Sequence, residues 1–243
     1  MKPLIKHVAP HILISIHRKI SIAYLRRANR ALSVKDVFTR IYKNNEWGGE
    51  SGQYCSGNGS SGYHASLYAD VVKKFIRDKG ITSIVDLGCG DFTVGSKLQM
   101  DNIKYIGIDI VDDLITRDKA AYENTNILFE CLDIINDELP YADLCLIRQV
   151  LQHLSNSQIL AVLKNTKKYK YIIITEHYPS PFVQVIPNKD KPHGSDTRII
   201  NNSAVYLDKS PFNIPGLSLL LEVDAIVNLR KEGEKIKSFL IEN

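Results

Sequence analysis

Apolar positions along the chain follow a strand pattern and a helical pattern in turn, from about residue 63 to residue 176. Helical spacing fills the segments between five apolar runs of strand length. Strands separated by helices at this spacing predict a parallel sheet with helices on both faces. The five predicted strands are residues 81–87, 103–110, 126–134, 142–148 and 169–176.

The same periodicity predicts helices outside and between these strands. An amphipathic helix is expected over 11–31, and a second helix follows to about Asn44 with Ser33 as its cap. A third helix runs from Tyr63 to Lys79, where Gly80 ends it. Further helices are expected after the turn that follows the first strand, near Asp112 and over 155–166.

The end of the chain breaks this alternation. Two strand-like segments, 217–223 and 235–242, are separated by only about a dozen mostly polar residues. So short a connection favours an antiparallel hairpin over a parallel crossover. We therefore divide the chain into an N-terminal helix (1–32), a helix with a Gly/Ser-rich loop (33–62), and a main domain (63–243) that contains a long loop (177–216).

Composition and charge narrow the function classes. The 243 residues are 44% hydrophobic and 24% charged, which is ordinary for a globular α/β protein, and a net charge of +4 does not indicate a nucleic-acid partner. Residues 1–35 nevertheless carry eight Lys or Arg and no acidic residue. A basic helix of this kind can contact an anionic membrane or a partner such as a glycosyltransferase, pack on its own domain, or mediate a homodimer.

The cysteines and the apolar segments bear on location. The four cysteines show no CxxC spacing, which favours a reducing cytoplasm over a disulfide scaffold. The apolar stretch "HILISI" has no cleavage pattern after it and is far shorter than the ~20 residues that span a bilayer. We expect a cytoplasmic protein, and the basic helix leaves open that it binds peripherally to the inner membrane.

The loop from Glu46 to His64 has an unusual composition. It holds six glycines and four serines, together with the only tryptophan, two tyrosines and a cysteine. A solvated linker has no need of those larger side chains. The composition therefore favours a loop that closes over a ligand.

The turn "VDLGCGDFTVG" after the first strand suggests a nucleotide-like ligand. Gly88 and Gly90 are followed by Thr93 where a dinucleotide fingerprint requires its third glycine, and no Gly-Lys-Ser/Thr occurs there. The strand ends instead gather four acids. At an effective dielectric of 20, a charge pair 4 Å apart is worth about 4 kcal/mol, so such a cluster favours a cation over a pyrophosphate. The acids are Asp86, Asp91, Asp109 and Asp133.

These motifs, in this order, resemble those of class I S-adenosylmethionine-dependent methyltransferases. "VDLGCGDFTVG" and "YIGIDI" resemble their first and second motifs, and "CLDI" lies where their adenine-contacting acid lies. "LCLIRQVLQHLS" resembles their fourth-strand segment, and the terminal hairpin fits their seven-stranded sheet. The resemblance spans about 33–243. It implies an α/β Rossmann-like fold, a mostly parallel seven-stranded sheet, and S-adenosylmethionine as cofactor, with S-adenosylhomocysteine as product.

The resemblance also implies roles at the glycine turn. Gly88, Cys89 and Gly90 let the backbone approach the methionine part of the cofactor. Asp86 orients that turn, or it serves only as a structural cap at the strand end. Arg148 reaches the methionine carboxylate or the substrate, or it pairs with an acid such as Asp91.

The same resemblance implies that other residues bind the nucleoside part of the cofactor. Asp109 is expected to accept hydrogen bonds from both ribose hydroxyls, with Ile110 beside it. Asp133 and Ile134 face the adenine amine and ring. The loop residues Ser56, Gly57, Gly59 and Ser60 resemble a cofactor-closing segment of a bacterial methyltransferase group associated with surface-polysaccharide and glycoconjugate biosynthesis.

Methylation of a hydroxyl requires a general base with a pKa near neutrality. His153 and His177 follow the fourth and fifth strands, and we favour His177, which has Glu176 beside it. Residues 188–216 form a loop over the same end of the sheet. Its His193, Asp196 and Arg198 are candidate substrate contacts, or parts of a solvated charged lid.

The leading interpretation is O-methylation of a sugar, or of a small group used in a bacterial surface glycan. Two other classes stay open, a non-catalytic adaptor with the same fold and an NAD-dependent oxidoreductase. No metal is predicted, since the spacing of Asp190, His193 and Asp196 is not diagnostic of a metal site.

Overall fold

A computed structural model describes residues 20–50, 53–57, 59, 62–98, 102–225 and 233–243. Seven strands form one sheet in the order β3-β2-β1-β4-β5-β7-β6. The strands are β1 (Ser83–Leu87), β2 (Lys104–Asp109), β3 (Ile127–Cys131), β4 (Leu144–Arg148), β5 (Tyr171–Tyr178), β6 (Ser218–Asp224) and β7 (Lys235–Glu242).

The helices lie close to their predicted positions. The described part of the first helix, α1, covers residues 20–29, and the rest of that prediction lies outside the described residues. After the glycine turn, the described residues form a 3-10 helix, Gly95–Leu98. The other helices are α2 (Val34–Lys43), α3 (Gly62–Lys79), α4 (Asp112–Tyr122) and α5 (Asn156–Asn165).

Strand pairing confirms the predicted fold class. Strands β1 to β5 pair in parallel, and β7 lies antiparallel to both β5 and β6. The protein therefore has the Rossmann-like fold of class I methyltransferases, with the expected C-terminal antiparallel pair. Strand β5 extends two residues beyond its prediction, so that His177 lies in the strand and not in the loop after it.

Two apolar layers hold the sheet between its helices. Successive residues of a strand point to opposite faces, so Ile84 packs in the layer that contains Val72 of α3. Its neighbour Val85 packs in the layer that contains Ile159 of α5. Strands covered on both faces read as continuous apolar runs, which explains why the five parallel strands were visible in the sequence.

Two helices begin at capping residues that the sequence indicates. The Ser33 hydroxyl accepts a hydrogen bond from the backbone N–H of Asp36, and Ser155 forms a reciprocal capping box with Gln158. Among the described residues, no helix combines the length and the apolar character needed to cross a bilayer.

The sheet order determines where a ligand can bind. Strand β1 lies between β2 and β4: the connection from β1 runs to β2 on one side, and the connection from β3 crosses to β4 on the other side. Open α/β sheets bind ligands at such a switch point, outside the carboxyl ends of the strands. The glycine turn follows β1 at this place.

Candidate functional site

A cavity of about 440 Å³ opens at the carboxyl ends of β1, β2 and β4. Among the described residues that line it, four side chains are acidic and one is a guanidinium, that of Arg148. A cavity with this balance favours a ligand that carries positive charge. The four acids are Glu46, Asp86, Asp109 and Asp133.

The glycine turn forms one wall of the cavity and depends on its glycines. Gly88 and Gly90 have φ values of +77° and +59°. A β-carbon on Gly88 would lie 2.4 Å from Cγ2 of Val150, and one on Gly90 would lie 2.2 Å from Oγ of Ser56. Both distances are below contact, so only glycine brings the backbone this close to the cavity. Cys89 lies buried between them and also lines the cavity.

Asp109 lies at the end of β2 and is held by backbone donors. Its carboxylate accepts hydrogen bonds from the N–H groups of Gly90 and Val111, each at 3.2 Å. Burial raises its pKa to about 6, although the backbone hydrogen bonds oppose that shift. A carboxylate has about four acceptor positions, so further donors can still be bound from the cavity.

Asp86 has both a structural partner and a place in the cavity wall. It accepts a hydrogen bond of 2.7 Å from the hydroxyl of Tyr105. Burial raises its pKa to about 6, against the lowering effects of Tyr105 and Arg148. The buried hydroxyl partner accounts for the strand-end role considered from the sequence, and the cavity lining leaves a ligand role open.

Residues after β2 and β3 give the cavity an apolar side. Ile110 and Ile134 line it together with Asp133. The carboxylate of Asp133 accepts from the N–H of Ile135 at 2.9 Å and from Nδ2 of Asn136 at 2.7 Å. This pairing fixes the turn that presents Ile134, so a flat ring could lie against an apolar surface with an acid at its edge.

Arg148 is a buried cation at the end of β4. Its Nη2 donates to the carbonyl of Gly59 at 2.6 Å, and its guanidinium lies 5.2 Å from the ring centre of Tyr68. Burial lowers its pKa, while the charges of Tyr68 and Asp86 oppose that shift. Its buried Nε makes no hydrogen bond with the described residues. One directed donor therefore stays available for a ligand.

The Gly/Ser-rich loop is fastened to the glycine turn. The N–H of Ser56 donates to Oδ2 of Asp91 at 2.9 Å, and the N–H of Asp91 donates to Oγ of Ser56 at 2.8 Å. Asp91 is thereby engaged with the loop and not with Arg148. Gly57 also lines the cavity, whereas Ser60 lies outside the described residues.

Three aromatic side chains, which were not predicted from the sequence, form one wall of the cavity. The ring of Trp47 lies 5.2 Å from that of Tyr42 and 6.0 Å from that of Phe38. Its Nε1 donates to the carbonyl of Ser195 at 3.1 Å. The single tryptophan in the Gly/Ser-rich loop was the sequence signal for this wall. It indicated a loop that closes over a ligand, but it could not identify the residues that the tryptophan contacts.

His153 is a buried, neutral histidine. Its Nδ1 donates to the carbonyl of Gly194 at 3.1 Å, and its ring lies 5.0 Å from that of Trp47. Burial and the charge of Lys191 lower its pKa to about 4. The side chain lines the cavity and at the same time holds residues 193–197, which we call the strap, against the site.

His177 also lines the cavity and has a carboxylate partner that the sequence did not reveal. Its Nε2 lies 3.0 Å from Oε2 of Glu234, a residue that is 4% exposed. Glu176, its neighbour in sequence, points elsewhere, accepting from the N–H groups of Leu151 and Gln152 at 2.9 and 3.2 Å. Burial raises the pKa of Glu176 to about 8.

The three predicted substrate contacts lie outside the cavity lining. His193 is within 3.1 Å of Nε2 of Gln158, and Asp196 pairs with Arg26 of α1 at 2.7 Å. Arg198 is fully buried and donates to two backbone carbonyls at 2.8 Å each. The strap residues that line the cavity are instead Ser195 and Thr197.

The residues weighed as metal ligands are also engaged in the fold. Oδ1 of Asp190 accepts from the N–H of Asn156 at 2.8 Å, where α5 begins. Across the described ranges, no three His, Cys, Asp or Glu residues are grouped as metal ligands would be.

Comparison with known proteins identifies the fold through solved structures. No protein-family model and no curated protein matches the sequence. The N-terminal domain of EvdMO1, crystallised with SAH and D-fucose, matches with a TM-score of 0.50 and 15% identity over 84% of this chain and 95% of that one. TnmH matches with a TM-score of 0.50 and 17% identity over 72% and 54%.

A third structure is described as an N-methyltransferase. NodS from Bradyrhizobium japonicum WM9, in complex with S-adenosylhomocysteine, has a TM-score of 0.49 and 13% identity over 73% of this chain and 86% of that one. At such identities, the two matches with a TM-score of 0.50 establish the fold of the chain and nothing further.

Proposed function

We propose that the protein is an S-adenosylmethionine-dependent methyltransferase that methylates a hydroxyl group of a sugar, or of a small group used in a bacterial surface glycan. The observation that carries the proposal is Asp109, held at the end of β2 by Gly90 of a turn that only glycine can form. A carboxylate in that place can accept both hydroxyls of a ribose, while the neighbouring acids disfavour phosphate.

The cavity residues fit the cofactor at each of its parts. About 440 Å³ is within the range of about 300–1,000 Å³ typical of small-molecule sites. Ile110 and Ile134 offer apolar surface to the adenine, with Asp133 as acceptor for its amine. At the other end, Arg148 has a free Nε with which to bind the methionine carboxylate.

The charge of the cavity supports binding of the donor form. When bound, S-adenosylmethionine supplies an electrophilic methyl group on a positively charged sulfonium. Asp86 and Asp109 stabilise positive charge beside the glycine turn, and Ser56 fastens the Gly/Ser-rich loop to that turn. Positioning of the acceptor along the axis of transfer accounts for much of the rate in such displacements.

His177 is the general base in this proposal. Its Nε2 lies 3.0 Å from Oε2 of Glu234, so in this proposal Nδ1 is the ring nitrogen that takes the hydroxyl proton. The carboxylate of Glu234 then stabilises the imidazolium. His153 is less suited to the task, because a pKa of about 4 leaves it a weak base and its Nδ1 is committed to Gly194.

Polar residues around His177 suit a hydroxylated acceptor. Gln149, Gln152 and Thr197 line the cavity with side chains that exchange hydrogen bonds with hydroxyls. EvdMO1, which has the same fold, was crystallised with D-fucose. These features support a sugar acceptor, while the cytoplasmic location and a homodimer stay predictions.

Calorimetry and mass spectrometry test the proposal separately. We expect S-adenosylhomocysteine to bind the full chain, NADH not to bind, and Asp109→Asn to weaken the binding of S-adenosylhomocysteine. Binding of NADH alone would reject the methyltransferase in favour of the oxidoreductase.

Acceptor chemistry is tested by deleting the gene and analysing cell-envelope glycans and nucleotide sugars for a lost methyl group. Complementation with His177→Asn should not restore the methyl group, although this variant should bind S-adenosylhomocysteine as the wild type does. Normal cofactor binding with no glycan change would favour the non-catalytic adaptor.

A further inference from the structure

Helix α1 exposes large apolar side chains next to cations. Ile20 is 64% exposed, Tyr24 is 74% exposed and Leu25 is 37% exposed. Arg27 and Arg30 are exposed on the same short helical segment and the turn after it. Helices that lie in a membrane interface typically combine exposed aliphatic and aromatic side chains with neighbouring arginines.

The arginines also line a groove. It runs between α1 and residues Ile200 and Asn201, and its described lining includes three guanidiniums and no carboxylate. Arg26 is partly neutralised by Asp196 at 2.7 Å. Arg27 and Arg30 form no ion pair with another described residue within 4 Å. The groove thus retains positive charge for an anionic ligand.

Charge along the chain points to the same surface. Residues 1–35 hold eight of the 31 basic residues and none of the 27 acidic ones. The remainder of the chain is slightly acidic. Of these eight basic residues, Arg26, Arg27 and Arg30 lie on or directly after the described part of α1, so an anionic surface would attract this helix more than the rest of the chain.

We propose that the exposed face of α1 docks on an anionic lipid bilayer, with Arg27 and Arg30 at the lipid phosphates and Tyr24 and Ile20 in the headgroup region. Phosphate alone would satisfy the arginines, but it gives no reason for apolar side chains at 64% and 74% exposure. A lipid surface satisfies both groups. The proposal concerns binding and does not depend on methyl transfer.

Docking at this face would place the cavity near the bilayer. Arg26 holds Asp196 of the strap, and Asn29 donates to the carbonyl of His193 at 3.1 Å. The same strap contributes Ser195 to the cavity lining. Helix α1 is therefore in direct contact with a segment that forms part of the cavity wall.

Co-sedimentation of the full chain with vesicles tests the proposal. We expect the protein to pellet with vesicles of equal parts phosphatidylcholine and phosphatidylglycerol, and not with pure phosphatidylcholine. Each basic residue near an anionic surface contributes roughly a fivefold gain, so Arg27→Glu/Arg30→Glu should weaken binding by about thirtyfold or more. Tyr24→Ser should weaken the part of the binding that persists at high salt.

A matched double variant supplies the control. Arg77→Glu/Lys167→Glu makes the same change of charge at exposed positions on α3 and after α5, and it should alter vesicle binding by less than about threefold, since those sites lie outside the docked face. Thermal melting should confirm that both double variants fold.

Four results would overturn the proposal. The first is equal binding to neutral and anionic vesicles, and the second is an equal loss in the control variant. The third is displacement from vesicles by inorganic pyrophosphate at an affinity matching that for lipid, which would make the groove a site for soluble phosphates. If vesicles are not bound and Arg27→Glu/Arg30→Glu changes the sedimentation mass, the face is a contact between copies of the chain, and the lipid proposal is again rejected.

Discussion

Ser56 and Asp91 exchange two hydrogen bonds, from the N–H of Ser56 to Oδ2 of Asp91 at 2.9 Å and from the N–H of Asp91 to Oγ of Ser56 at 2.8 Å. The pair joins residues 35 positions apart and closes the Gly/Ser-rich loop on the glycine turn. The hydroxyl of Tyr42 lies 3.1 Å from the same Oγ. One serine hydroxyl thus connects α2, the loop and the turn.

Ser56→Ala should loosen the closure of the loop on the glycine turn, and the protein should still fold. The variant leaves the N–H of Asp91 without its acceptor, and a hydrogen bond of this kind contributes about 0.5–1.5 kcal/mol. We expect the affinity for S-adenosylhomocysteine to fall by about three- to tenfold in calorimetry. Ser96→Ala, at an exposed hydroxyl after the same turn, should leave the affinity unchanged. Equal effects of the two variants would count against a closing role for the loop.

Affinity for S-adenosylhomocysteine should depend on pH through Asp109. Burial raises the pKa of this carboxyl to about 6 in the free protein. Below that pH the protonated group has lost its charge and acceptor positions, so binding should weaken by up to about tenfold per pH unit as the pH falls. Asp109→Asn should weaken binding at neutral pH by roughly ten- to a hundredfold, the cost of losing hydrogen bonds to a charged group.

The stability of the free protein should change in the opposite direction over the same pH range. The folded pKa of Asp109 lies above its ordinary value of 3.8, so its contribution to the free energy of unfolding is greatest below pH 3.8 and is lost as the pH rises through about 6. Asp86 titrates in the same range. Asp109→Asn is the reference, since its affinity for S-adenosylhomocysteine should not depend on the protonation of residue 109. If the affinity of the wild type is equally independent of pH, the assignment of Asp109 to the ribose is contradicted.

Much of the fold could be predicted because its signals are local. Ile84 and Val85 belong to a strand buried on both faces, and such strands appear in the sequence as unbroken apolar runs. Gly88 and Gly90 were visible as a turn motif directly after that strand, and their positive φ is a local property of the turn. The atoms that leave no room for a β-carbon there belong to Val150 and Ser56, which are distant in the sequence and were not predicted.

The partners within the site could not be predicted, because they come from distant segments. Glu234 lies directly before β7, the strand that pairs with β5, and reaches His177 from 57 positions later in the chain. Glu176, adjacent in sequence, points to the opposite side of the strand. Arg198 appears in the sequence as part of a charged loop. Nothing local distinguishes an arginine in solvent from one that is buried against carbonyls.

Glu176 should make stability depend on pH. Burial raises the pKa of this carboxyl from 4.5 to about 8. The unfolded chain therefore loses its proton first, and the free energy of unfolding should decline between about pH 4.5 and 8, by up to about 1.4 kcal/mol per pH unit. Glu176→Gln should remove this slope between about pH 6 and 8, above the pKa values of Asp86 and Asp109, in chemical denaturation at several pH values. Glu138→Gln, at an exposed site, should retain it. An unchanged slope in Glu176→Gln would assign the dependence to other groups.

Arg198 should stabilise the fold and leave ligand affinity unaffected. Its Nη1 and Nη2 donate to the carbonyls of Lys189 and Leu154 at 2.8 Å each, and 1% of the residue is exposed. Arg198→Met keeps the side-chain volume but leaves both carbonyls unpaired, which should lower the free energy of unfolding by about 2–4 kcal/mol. Arg198→Lys should lie between the two proteins, because one ammonium does not reproduce the spread of two guanidinium donors.

Two measurements separate this structural role from the substrate contact that the sequence suggested. If Arg198 acts through the fold, urea denaturation of Arg198→Met shows a lower free energy of unfolding. The affinity of this variant for S-adenosylhomocysteine, measured below the unfolding transition, stays within about twofold of the wild type, because Arg198 does not line the cavity. A substrate contact would give the reverse result, with unchanged stability and methyl transfer reduced at limiting acceptor concentrations. Because Arg198 donates to the carbonyl of Leu154, next to His153, a third pattern in which stability and cofactor affinity fall together would indicate that the buried arginine also holds the cavity wall in place.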